Sequence, residues 1–205
     1  MEYIEERKEM KKRILFELTI GLLMLVSALY TYIPEPEYMH ELTFISNMAG
    51  AVIFLADGLY RMIRHKQLPK ELYFIEAVTI GIVFLVSVGC TASGMAHFNF
   101  SGGMVFLHVI NPILVIGFYL FEKGEREDRI KTVAVTPLFV IAYLLFDYIR
   151  FLLVGSFVYG LFPTEGMSVW KAIMIGIVTY IVVALWGLVL YAVRRMIGRL
   201  KNCLC

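Results

Sequence analysis

Six apolar stretches, each about 20 residues long, dominate the chain at roughly 14–33, 43–63, 73–91, 104–121, 132–155 and 170–193. A helix of that length, rising about 1.5 Å per residue, crosses a hydrocarbon layer of about 30 Å. The stretches are continuous, without the period-two alternation of barrel strands, so helices are expected. A soluble domain of 205 residues does not carry 60% hydrophobic residues and a mean hydropathy of +0.75. The expected fold is an all-α integral membrane protein: a six-helix transmembrane bundle, one domain over residues 1–205.

Basic residues fix the expected orientation. They cluster before the first stretch (Arg7, Lys8, Lys11, Lys12, Arg13), in the second loop (Arg61, Arg64, Lys66, Lys70), in the fourth (Lys123, Arg126, Arg129, Lys131) and in the tail (Arg194, Arg195, Arg199, Lys201). The first and third loops have none, and the fifth has none before Lys171. The positive-inside rule then sets both termini in the cytoplasm, in a cell membrane. With a net charge of only +2, the clusters read as anchors near anionic lipid and not as a nucleic-acid surface. The first stretch is long and lacks a small-x-small cleavage site, so a retained helix is expected. Cys90, Cys203 and Cys205 make no disulfide framework, and Asn202 stands where prenylation needs cysteine. The tail thiols read as inert, with reversible palmitoylation the alternative.

Ionisable groups inside membrane helices face the bundle or a wet cavity. Here they are Glu17, Asp57, Glu76, His108, Asp147 and Arg150. Glu17 and Glu76 are expected to snorkel or pair near the basic ends. Asp57 has Arg61 four residues on, and Asp147 has Arg150 three on, both pairing distances on a helix. A structural clamp is the plain reading of the second pair. The sharper one makes Arg150 an anchor for a substrate head group, because guanidinium matches carboxylate and phosphate.

At about 100° per residue, Thr43, Asn47, Gly50, Phe54 and Asp57 fall on a stripe about 80° wide, which must face other helices. In the fourth stretch His108 and Asn111 share a face, and Pro112 takes away the amide that would bond the His108 carbonyl. Thr43 and His108 lie about one turn below the same surface, and Asp147 approaches that level from the fifth stretch. A hydroxyl, an imidazole and a carboxylate at one depth are the parts for acyl transfer. A hydrogen-bonded packing network is the competing reading. The third and fifth loops, Thr91–Gly103 and Gly155–Pro163, are rich in aromatics and glycine. An ordinary interfacial belt is expected of them, with capping of the bundle the alternative.

The Thr43-Phe44-Ile45-Ser46-Asn47 start of the second stretch and His108 four before Pro112 resemble the androgen-induced gene 1 family and its bacterial six-helix relatives. The human members are intramembrane threonine hydrolases of fatty acid esters of hydroxy fatty acids. The resemblance extends over the order of spans and the Tyr159-Gly160-Leu161-Phe162-Pro163 segment. It implies a six-helix fold with a catalytic threonine at Thr43 and a catalytic histidine at His108.

The expected function is hydrolysis of fatty-acyl esters of membrane lipids near the outer leaflet. Thr43 would attack and His108 would take its proton. Asn47 or Ser46 would donate to the oxyanion, Asn111 would support, and Asp147 would orient His108 or be held by Arg150. No cofactor or nucleic acid is called for. The histidines at 40, 65, 97 and 108 lack ligand spacing, so no metal is expected. The alternative is a transporter or lipid-binding protein using the same cluster for a carboxylate or protons.

Overall fold

A computed structural model describes residues 2–95, 98–122, 130–159, 162 and 164–204, with the side chains of 2–4, 6 and 201–204 also outside the description. Lys123, Arg126, Arg129, His97, Gly160, Leu161, Pro163, Lys201, Cys203 and Cys205, all weighed in the sequence, therefore fall wholly or at their side chains outside it. The described chain is helical with no strand. Six helices are long and apolar enough to cross a membrane. They are α1 (Glu2–Tyr32), α2 (Leu42–Arg64), α3 (Glu71–Ser93), α4 (Gly103–Phe121), α5 (Ile130–Val154) and α6 (Val169–Leu204).

Each helix covers its apolar stretch, but α1 and α6 run well past it on the charged side. Hydropathy marks the apolar stretch, not the ends of the helix. Arg, Lys and Glu are good helix formers, so α6 continues from the expected end at 193 through Arg194, Arg195 and Arg199. The Arg194 guanidinium lies 4.4 Å from the centre of the Tyr119 ring, tying that extension to α4.

Packing follows the small residues and aromatics. Gly21 on α1 faces α2 so closely that a Cβ would stand 2.9 Å from the Leu55 backbone nitrogen. Gly58 meets Leu18 in the same seam. Small residues let two helix backbones approach closely. α3 is the central helix, with 61% of its most apolar window buried against 17% for α6. Phe54, Tyr73 and Phe118, from α2, α3 and α4, meet with ring centres 5.0–5.1 Å apart. α5 rests mainly on α6 and leaves Leu152, Leu153 and Val154 exposed.

Thr43 at the start of α2, the Asn99 carbonyl and His108 of the α4 entry, and Tyr159 before α6 meet at one end of the bundle, and Arg13, Arg61, Glu17 and Glu122 gather at the other, basic end. At the basic end Glu17 pairs with Arg13 at 2.9 Å and Arg61 at 3.1 Å. Arg61 also holds Asp57 at 2.9 Å, as the spacing predicted. Tyr73 Oη donates to Asp57 at 2.6 Å, and Arg13 reaches Glu122, the residue that follows α4. Glu76 departs from expectation: it is fully inside, faces Gly50 and Met24, and its Oε1 has no hydrogen-bond partner. It lies opposite Gly50, about two turns along α2 from Asp57, and so sits deeper in the bundle than the basic cluster that absorbs Glu17.

Candidate active site

Thr43 lies in the first turn of α2, where backbone amides lack helical partners. Its own N–H is taken by the Tyr159 hydroxyl at 2.9 Å. Its Oγ1 stands 3.1 Å from that same hydroxyl and 3.4 Å from His108 Nε2. Thr43 and His108 are both buried. The two residues singled out in the sequence, 65 positions apart, are therefore in contact.

The backbone at His108 explains how it gets there. Residues Phe106–Ile110 form a π-turn, and the Asn111 amide bonds Phe106 O in place of Leu107 O. Pro112 has no amide to offer the next carbonyl in that register. The Leu107 carbonyl is thereby freed from the ladder and accepts from Asn47 Nδ2 at 3.3 Å. Proline was expected to liberate the His108 carbonyl; the π-turn moves the vacancy back by one residue. Such bulges recur at functional sites because they re-aim a side chain.

Directions within the cluster follow from what each group can do. His108 Nδ1 lies 3.3 Å from the carbonyl of Asn99, which can only accept, so Nδ1 carries the proton and Nε2 a lone pair. The Thr43 hydroxyl then donates to Nε2. Tyr159, which accepts the Thr43 amide, donates its own proton to Thr43 Oγ1. The hydrogen bonds form one unidirectional file ending on the Asn99 carbonyl. Phe98 and Phe100 stand edge-on to the imidazole at 5.6 and 5.8 Å. Burial pushes the Tyr159 phenol above its ordinary value, with the Thr43 hydrogen bonds pulling the other way, so it remains a neutral donor. Burial likewise raises the Glu41 carboxyl, opposed by a 2.6 Å bond from Tyr32 Oη.

The other expected site residues have different partners. Ser46 Oγ and Asn47 Nδ2 donate to the Thr43 carbonyl at 3.2 and 2.8 Å, and so are committed to the backbone of α2. Asn47 Oδ1 accepts from Asn111 Nδ2 at 2.7 Å, and Asn111 also donates to Ser27 at 2.9 Å. These side chains fasten α1, α2 and α4 together. Asp147 neither touches His108 nor forms the ion pair with Arg150 that its spacing suggested. Asp147 Oδ1 accepts the Val158 amide at 2.8 Å, and Arg150 donates to the Ser156 carbonyl at 2.8 Å. Together they pin the segment that delivers Tyr159.

The described residues of both aromatic loops reach over this end of the bundle, Phe98, Phe100 and the Asn99 carbonyl at His108 and Tyr159 at Thr43. Tyr159 and the Asn99 carbonyl were not assigned roles from sequence. A loop's reach across a bundle has no periodicity to reveal it.

A cavity of about 140 Å³ opens beside this cluster, lined by Thr43, Phe98, Tyr143, Asp147 and Tyr159 among others. A larger one, about 520 Å³, lies between α5 and α6 and is almost wholly apolar. The two share Leu144, Asp147, Phe157 and Phe162. Among the described residues no three His, Cys, Asp or Glu side chains converge as metal ligands. No protein-family model, curated protein or solved structure gives a significant match to the chain.

Proposed function

We propose that this is a multi-pass membrane protein, both termini cytoplasmic, that hydrolyses fatty-acyl esters at the outer-leaflet end of its bundle. Thr43 is the nucleophile and His108 the general base, as the resemblance to the androgen-induced gene 1 family implies. The observation that carries the reading is the Thr43 Oγ1–His108 Nε2 approach of 3.4 Å, with Nδ1 held on a carbonyl. Nucleophile, base and orienting group in series are the signature of an activated hydroxyl. The separation exceeds the working range of about 2.6–3.2 Å, as it often does before substrate tightens a site. The apolar cavity between α5 and α6 suits an acyl chain arriving sideways from lipid.

Thr43→Ala and His108→Ala are each expected to abolish ester turnover by purified protein in nanodiscs while leaving its thermal unfolding cooperative. An acyl-reactive fluorophosphonate should label Thr43, and unlabelled Thr43 in a turning-over preparation would overturn the assignment.

One observation favours a second reading, a carrier of protons or carboxylates: Glu76 is buried in the bundle with Oε1 unpartnered. Flux in proteoliposomes without ester turnover would select it.

A further inference from the structure

With Ser46 and Asn47 committed to the Thr43 carbonyl, the oxyanion lacks its expected donors. Tyr159 is also committed, since its hydroxyl accepts one bond and donates another to Thr43. Tyr143 is different. Its side chain is 8% exposed, and its Oη is buried with no hydrogen-bond partner of normal geometry. The hydroxyl's polar neighbours are the Leu42 amide, directly before Thr43, and Tyr159. It lines the same small cavity as Thr43. A buried hydroxyl without a partner forfeits a hydrogen bond, so its position calls for an explanation.

We propose that the Tyr143 hydroxyl is the oxyanion donor of the reaction, taking the ester carbonyl oxygen in the cavity beside Thr43. This rests on the hydrolase reading. The Thr43 oxygen bonds the carbonyl carbon and its proton passes to His108 Nε2. The carbonyl π pair moves onto oxygen, and Tyr143 O–H donates to the resulting alkoxide. Collapse restores the carbonyl, breaks the bond to the alcohol and returns the His108 proton to that leaving oxygen. Water attacks the acyl-threonine by the same steps and releases the fatty acid. Tyr143 stays protonated throughout. The cavity it lines with Thr43 shares Leu144, Asp147, Phe157 and Phe162 with the apolar cavity between α5 and α6, so an acyl chain in the larger space leads toward the carbonyl in the smaller.

The experiment is turnover of p-nitrophenyl octanoate by the full chain in nanodiscs, comparing wild type, Thr43→Ala and Tyr143→Phe. Tyr143→Phe should lower kcat about 10²–10³-fold with KM nearly unchanged. It should also unfold no earlier than wild type, since it removes an unpartnered hydroxyl. Wild-type kcat in Tyr143→Phe would overturn the proposal and leave the hydrolase reading standing. Wild type as inactive as Thr43→Ala would overturn both. Independently of folding, 3,5-difluorotyrosine at 143, a stronger donor of nearly the same shape, should shift kcat; an unchanged kcat would mean the ring only packs.

Discussion

One phenol does two jobs at Thr43. Tyr159 Oη holds both the amide and the side-chain oxygen of that residue, so it sets the first turn of α2 and the Thr43 rotamer together. Replacing it with phenylalanine strands the Thr43 amide in a dry pocket. Tyr159→Phe is expected to cost about 1–3 kcal/mol of stability by chemical denaturation and to reduce turnover of the same ester. The chemistry at this scale was partly legible: Thr43, Asn47 and Asp57 share a calculable helical stripe, and all are buried as it required. The partners of Asp147 and Arg150 were not. Their three-residue spacing allowed a pair, but each found a loop carbonyl or amide that no helical geometry forecasts.

Among the elements, α4 carries both a π-turn and His108. Its π-turn at Phe106–Ile110 is stabilised twice, by the amide missing at Pro112 and by Asn47 answering the Leu107 carbonyl. Pro112→Ala restores the amide and allows the turn to relax to α-helical register, rotating His108 away from Thr43. The expected result is loss of ester turnover with an unfolding temperature equal to or above wild type. Proline was plain in the sequence; the register it would choose was not, because α- and π-turns next to a missing amide differ only through an acceptor supplied by another helix. The apolar stretches themselves were legible to within a few residues, except where α1 and α6 extend in charged helix formers.

For the molecule as a whole, polarity is divided by end. Ion pairs of Glu17, Asp57, Arg13, Arg61 and Glu122 lock the basic end, while hydroxyl, imidazole and phenol meet at the other. The proposed orientation puts the first group at the cytoplasmic face. In a cysteine-free background, a cysteine at the exposed position Ser93 should react with an impermeant maleimide in intact cells. One at the exposed position Arg199 should react only after permeabilisation. The reverse pattern would place the reaction on the cytoplasmic leaflet.

The group that orients His108 belongs to the main chain. Asn99 contributes its carbonyl, while its side chain is occupied with Ser101. An alanine scan keeps that carbonyl and would pass over its bond to His108. Only editing the peptide backbone, by exchanging the Asn99–Phe100 amide for an ester and so weakening the oxygen as an acceptor, would test it.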